Sequence, residues 1–397
     1  MHKQKRSVLI IGAGASGIVA AISAARRGVE VSIIERMPQM GKKILVCGAG
    51  RCNLLNERLD ESFYNETAQP LVRSILAQFD KAAIQDFFSE LGLVTYSEEG
   101  RIFPVTDQAS SVLKVLSLEL KRLGINPQYD FEAAQIYKGA DGFTIRGKRG
   151  EELQCSKLIL AAGGKSYPAL GSNGSGFTLA GKLGHSIVEP VPAAVPLVVK
   201  DVFCQTLQGQ RIRAQVRACI NGRLAQAETG DLLFTRYGLS GTGVLDVSRE
   251  ISIAMHRSGS VKVELVVDMV PFMDREALKS ELIRRFKKGV NAEDVLAGIL
   301  PDKFSRAYKP VLRHDAIDMA VSQLKEKKFT VSGTRGWSEA EFTAGGIPAD
   351  EIDHATLESK KCSQLYLCGE VLDVDGNRGG YNLAWAWASG FIAGLTQ

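Results

Sequence analysis

A strand–helix–strand pattern closed by glycines near the start, a proline-rich break before the middle, and an apolar strand running into a second glycine-rich segment near the end predict an α/β protein. The two ends build one doubly wound nucleotide-binding domain, and the middle is an insert that is first β-rich and then helical. The expected boundaries are 1–190 with 340–397 for the nucleotide-binding domain, 191–270 with 327–339 for the β-rich part, and 271–326 for the helical subdomain.

Ser7–Ile11 is a short apolar run rich in β-branched residues, as a strand buried on both faces requires, and the alanine-rich stretch 18–27 is a helix former. Between them stands GAGASG at 12–17. Gly12 permits the tight turn, Gly14 lets backbone approach a pyrophosphate, and Gly17 allows close helix–strand packing, while Ala15 and Ser16 open a helix whose N-terminus faces the phosphates. A second strand, 29–34, ends on Glu35 and Arg36, and about 20 residues past the glycines is where a carboxylate accepts from a ribose hydroxyl. Strand, helix, strand and acid in register predict a Rossmann-type adenine dinucleotide site.

The segment GKKILVCGAGRCN at 41–53 follows directly. Lys43, Gly50, Arg51, Cys52 and Asn53 suit a loop wrapped round a pyrophosphate and a ribityl group, because successive amides form an anion nest. Cys47 and Cys52 also have the spacing of a redox pair in flavin disulfide reductases, so that reading stays open. Against it, the chain carries no second dinucleotide fingerprint.

Further on, 110–123 reads as an amphipathic helix, 132–137 with 142–146 as a hairpin that brings Ala133 to the cofactor, and 157–162 as a buried strand. That strand runs into Ala162, Gly163 and a glycine- and serine-rich crossing, where Ser166 and Tyr167 face substrate or simply form a loop. Three prolines at 190, 192 and 196 mark the exit into the insert. Short strands are expected to dominate as far as 262 and helices from 274 to 328. In the insert, Arg236 and Tyr237 form a candidate substrate lip.

The strand 365–368 delivers Gly369 and Glu370 to a ribityl chain, and Asp375 leads to Gly379, Gly380, Tyr381 and Asn382 at the start of the last helix, 383–394. Amides at that helix start favour negative charge, which a reduced flavin develops. A cofactor gripped by both ends of the chain is long, which favours FAD over NAD. Trp385 and Trp387 read as core residues.

Composition is that of an ordinary globular protein, 45% hydrophobic and 23% charged over 397 residues. The seven cysteines are odd in number and scattered, so neither a disulfide framework nor a zinc site is expected, no metal is assigned, and a reducing cytoplasm fits best. No apolar stretch is long enough for a membrane span. Between 200 and 330 there are 22 Lys and Arg against 16 Asp and Glu, while the remainder is nearly balanced, 27 against 28. The basic surplus of the insert, in clusters at 211–223, 284–288 and 325–337, is either a phosphate-binding surface or an ordinary solvated face.

Taken together, GAGASG, GKKILVCGAGRCN, GRIFPVTDQAS at 100–110, AAGGKSYPALGSNGSGF at 161–177, LLFTRYGLSG at 232–241, TAGGIPADEI at 343–352 and GEVLDVDGNRGGYNLAWAWASG at 369–390 resemble the BaiN/RdsA family of FAD-dependent oxidoreductases, also described as YhiN-like flavoproteins or aminoacetone oxidase family enzymes. The sequence departs from the family pattern at Cys47, Arg236 and Thr242. The resemblance implies a glutathione-reductase-like FAD-binding domain with an inserted β-barrel-like domain and a helical subdomain. It also implies NADH or NADPH as a transient reductant and reduction of an electron-poor C=C bond. The first substrate it implies is a uridine of large-subunit ribosomal RNA, met through the basic insert and converted to dihydrouridine; small molecules, a steroid alkene or an amine, are second. Candidate catalytic residues are Cys52, Arg51 and Tyr167. A non-catalytic, FAD-containing RNA scaffold is the competing class.

Overall fold

The computed structural model describes residues 7–259 and 261–397. Two compact units are present, one formed by the chain up to Pro190 together with Phe342–Gln397, the other by Val191–Glu341. In the first unit, β1 (Ser7–Ile11) leads into α1 (Ala15–Arg26) and β2 (Glu30–Ile34), which lies parallel to β1 with Ile10 opposite Ile33. Helix α1 is apolar on every side, and Ile18, Val19, Ala20, Ala21 and Ile22 are all buried, so burial rather than amphipathicity holds it. Helix α2 (Ala109–Arg122) buries Val112, Leu116 and Leu120, one turn apart. A three-stranded antiparallel sheet of Ala133–Gly139, Gly142–Gly147 and Glu152–Cys155 precedes β3 (Lys157–Leu160), which lies parallel to β1 on the side away from β2.

The second unit is built on a seven-stranded sheet whose described pairings are all antiparallel. Its long hairpin is β4 (Arg211–Ile220) with β5 (Arg223–Thr235). Where short strands were expected, α3 (Thr242–Arg257) is a four-turn helix. The β-branched content of TGVLDVSREISIAMHR reads as strand, but Val244, Val247, Ile251 and Ala254 are buried at helical spacing, and tertiary packing overrides the local preference. Strand β6 (Val263–Asp268), helices α4 (Arg275–Lys287) and α5 (Ile317–Lys325), and strand β7 (Lys327–Thr330) complete the sheet edge and the helical part.

The chain then returns to the first unit, where β8 (Leu365–Leu367) adds parallel to β3 and gives the order β8-β3-β1-β2. The last helix, α6 (Tyr381–Leu395), lies backbone to backbone on α1: a Cβ on Gly390 would stand 2.3 Å from Ser16 O, and one on Gly394 2.2 Å from Ala20 O. Trp385 and Trp387 are core residues, as expected, and each indole N–H donates to a carbonyl, Gly369 O and Leu54 O.

Candidate functional site

The glycine turn between β1 and α1 is fixed by sterics. Gly12 has φ of +106°, and a Cβ on it would fall 2.4 Å from Ala161 O; a Cβ on Gly17 would fall 1.9 Å from Gly12 O. Gly14 differs, because a Cβ there would meet nothing within 4 Å, so the chain is tight below the turn and open in front of it. Glu35 lies under this turn with its carboxylate buried. One oxygen accepts from Ala13 N at 2.8 Å and the other from Met37 N at 2.8 Å. Each oxygen keeps a second acceptor site, so tying the turn to the end of β2 leaves capacity for a ribose hydroxyl. Phe131 N donates to Glu35 O, which brings the strand start at Ala133 alongside.

Arg36 donates from Nη1 to Gly171 O at 3.1 Å, while its buried Nε has no hydrogen-bond partner and comes no nearer than 4.0 Å to Glu132 Oε1. Asn53 likewise buries Oδ1 without a partner. Two orphaned polar atoms and an open glycine turn, all in the segments nominated from sequence, are what a site shaped for an elongated polar cofactor presents. These residues fit a dinucleotide. Gly163 (φ +71°) and Gly369 (φ +76°) line the same region, and a Cβ on Gly369 would strike Ser16 Oγ at 2.4 Å, which places the glycine beside the start of α1. Ala162, which precedes Gly163, and Ala15 are both half-buried.

Several nominated side chains serve the scaffold. Asn382 accepts from Gly376 N and donates to Gly376 O, closing the 376–382 loop on itself. Tyr381 is buried and stacks on Phe63 with ring centroids 4.5 Å apart, and Asn65 accepts from Asp375 N, so the loop is clamped from residues 63–65. Gly380 (φ +105°) is packed against Leu55 backbone, where a Cβ would fall 2.5 Å from Leu55 C, whereas Gly379 (φ +127°) has room for a Cβ and is required by its left-handed backbone instead.

The catalytic candidates change most. The Arg51 guanidinium pairs with Glu98 and Asp107 at 2.9 Å each, donates to Tyr96 Oη, and lies 4.2 Å from the Phe103 ring centre. Bonds to Glu98 first, then Asp107, push its pKa further up. A group so engaged is not a proton donor. Cys52 is buried with φ of +62°, and burial foremost raises its thiol pKa well above the ordinary value, with Cys47 adding to the effect. Cys47 and Cys52 are free thiols, and a thiol held protonated is a poor nucleophile. Tyr167 adopts a left-handed conformation (φ +54°) at the start of a short turn of helix and is half-buried.

A different group joins the segments that carry Gly41, Gly163 and Gly369. Lys43 Nζ lies 2.5 Å from Ser166 Oγ and 2.7 Å from Glu370 Oε2. Glu370 Oε1 accepts from Thr343 N at 2.7 Å and from Ser166 Oγ at 3.1 Å, and Thr343 Oγ1 accepts from Lys165 N and Ser166 N. The Glu370 carboxylate expected to face a ribityl chain is thus committed to protein donors. Sequence reasoning placed Lys43 and Glu370 among cofactor contacts but missed their union and missed Thr343, because four separate segments meet here and no spacing signals it.

The sequence matches the HI0933-like protein Rossmann domain over residues 6–396. The chain belongs to this family. It is 38% identical, over 97% of both chains, to a 3-dehydro-bile acid delta(4,6)-reductase of Clostridium scindens. It is 30% identical to a ribosomal RNA dihydrouridine synthase of Escherichia coli, over 97% of this chain and 96% of that one. In fold it is similar to the open conformation of a flavocytochrome c3 fumarate reductase, with a TM-score of 0.52 at 15% identity over 99% of this chain and 78% of that one. It is also similar to a 3-ketosteroid delta1-dehydrogenase of Sterolibacterium denitrificans, with a TM-score of 0.51 at 12% identity over 98% and 99%. This HI0933-like protein is an FAD-dependent oxidoreductase with the Rossmann-type FAD-binding fold expected from its sequence. No helix among its described residues is long and apolar enough to cross a membrane.

Proposed function

We propose that this protein reduces a C=C bond conjugated to a carbonyl group, with NADH or NADPH as transient reductant, and that its substrate is a uridine of large-subunit ribosomal RNA in the cytoplasm. The observation that carries the reading is the end-to-end match to a bile acid reductase and to a ribosomal RNA dihydrouridine synthase, two differently named enzymes whose reactions have one chemistry. A 3-dehydro steroid with delta(4,6) unsaturation and a uracil ring each present an alkene conjugated to a ring carbonyl. Hydride adds at the far carbon, the carbonyl takes up the negative charge, and a proton completes the reduction at the near carbon.

Gly12–Gly17, Glu35, Arg36 and Asn53 would hold FAD, which supplies a two-electron carrier between nicotinamide and alkene. The protein must furnish the proton. We assign that task to Lys43: Ser166 and Glu370 take two of its three N–H bonds and fix its position, and the third is left for an acceptor. Ser166 is buried and Glu370 is anchored by Thr343 N, so the ammonium is held by groups that are themselves held.

RNA is favoured as substrate by the basic surplus of the insert. A ketosteroid is the second reading, favoured by the higher identity to the bile acid enzyme. Mass spectrometry of ribosomal RNA nucleosides from a strain lacking the gene tests the choice. Loss of dihydrouridine, restored on complementation, supports the first reading; unchanged dihydrouridine, with the purified protein reducing a 3-oxo-delta(4,6) steroid, replaces it with the second.

A further inference from the structure

Alternation along β4 puts Arg211, Arg213, Gln215 and Arg217 on one face of the sheet and buries Ile212, Ala214 and Val216 on the other. Neighbouring strands continue that open face with Ala227 and Thr229, both exposed, on β5, and with Lys328 on β7, while its carboxylates Asp231, Asp268 and Glu264 are paired with Arg211, Lys325 and Lys262. In register, Arg217 stands opposite Val266, and Val266 opposite Lys328, so the two cations lie two strands, about 10 Å, apart on the same face. Arg217 buries Nε without a hydrogen-bond partner, and its Nη2 reaches no closer than 4.0 Å to Glu326, whose other oxygen is 3.3 Å from Arg275. Lys325 Nζ binds Val270 O and Met273 O and so pins the loop 269–274 next to Glu326. That loop holds Phe272 out to solvent, 64% exposed.

In the other basic clusters of the insert several cations are already paired, although Lys287 and Lys288 make no ion pair among the described residues. Arg284 and Arg285 pair with Glu281, Lys325 with Asp268, and Arg335 with Glu339 over the Tyr237 ring, while Lys327 covers Phe203. The outer face of β4 and β7, with the Phe272 loop at its edge, therefore brings Arg213 and Lys328, which make no ion pair among the described residues, together with the incompletely satisfied Arg217 beside an exposed aromatic ring.

We infer that this face binds the sugar-phosphate backbone of unpaired RNA, with Arg213, Arg217 and Lys328 on phosphates and Phe272 under a base. The inference rests on the RNA reading above. Unpaired RNA is the fitting partner because a base must be free to stack on Phe272, and a duplex would leave the ring unused.

The test is fluorescence anisotropy of a labelled single-stranded, uridine-containing RNA and of a duplex of equal length, across a salt series, with the FAD-loaded protein. The parent should prefer the single strand. Arg217→Gln with Lys328→Gln should reduce the slope of log K against log salt by about 1.4, roughly 0.7 for each lost contact. Arg213→Gln, which disturbs no ion pair among the described residues, should reduce it by about half as much. Phe272→Ala should weaken binding about tenfold at unchanged slope. Flavin content and melting temperature equal to the parent's establish that each variant is folded. Parent-like slopes and affinities in all variants would overturn the surface while leaving the RNA reading standing. A parent that binds neither RNA, from a gene whose loss leaves dihydrouridine unchanged, overturns the RNA reading and the surface with it.

Discussion

Lys43 and Glu370, 327 residues apart in sequence, form an ion pair of 2.7 Å beside the glycine turn, bridged by the buried hydroxyl of Ser166. Both side chains are roughly four-fifths covered, so the pair is screened far less than a surface bridge and holds one geometry. That geometry is the basis for assigning the reductive proton to Lys43.

Replacing Lys43 by Met should lower turnover about 10²- to 10⁴-fold, the range for a lost general acid. The loss should lie in the half-reaction that consumes the alkene, with flavin reduction by nicotinamide close to the parent rate in anaerobic stopped flow. Lys43→Arg should retain more activity than Lys43→Met. Equal slowing of both half-reactions would contradict the assignment.

Glu35→Ala removes the acceptor for Ala13 N and Met37 N together with any ribose contact. Each charge-assisted bond contributes about 1.5–3 kcal/mol, so the variant should lose FAD on dialysis and melt lower even as apoprotein. A lower FAD affinity with an unchanged apoprotein melting temperature would mean that Glu35 serves the cofactor alone.

Glu119 on α2 is nearly buried and accepts from Arg122 and from Arg26 of α1. The Arg122 bond, with Arg26 reinforcing it against the cost of burial, pulls its pKa down to about 2. A depressed carboxylate contributes stability that is fully present above the unfolded value and is lost as pH falls through the folded one. Glu119→Gln should therefore cost about 1–2 kcal/mol at neutral pH, allowing for screening at the exposed Arg122, and only about a few tenths of a kcal/mol once the pH has fallen to near 2. Denaturant melts of both proteins from pH 7 to pH 2 read the convergence.

Cys47→Ser should leave flavin reduction and turnover within a few-fold of the parent, since its would-be disulfide partner Cys52 is buried and its thiol is held protonated. Loss of activity accompanied by loss of a thiolate–flavin charge-transfer band would favour the disulfide-reductase reading instead.

The first strand–helix–strand unit was legible because its signals are local: a β-branched run, a glycine turn and an acid at fixed spacing. Helix α3 was not, since its β-branched residues favour strand until packing on the sheet is known. At the site, the glycines were legible for the same local reason. An arginine among glycines, Arg51, reads as a phosphate ligand from sequence, whereas the partners it has in the structure, Tyr96, Glu98 and Asp107, lie 45 to 56 residues further on. The Lys43–Ser166–Glu370 cluster joins three distant segments, so no window of sequence contains it.

The most direct test of the central claim is the reoxidation of prereduced enzyme under anaerobic conditions. Ribosomal RNA from a strain lacking the gene, added to the reduced FAD-loaded protein, should restore the oxidised flavin spectrum and yield dihydrouridine in equal amount, while RNA from the parent strain should not. A flavin that stays reduced with the unmodified RNA, yet is reoxidised by a 3-oxo-delta(4,6) steroid, would contradict the RNA assignment.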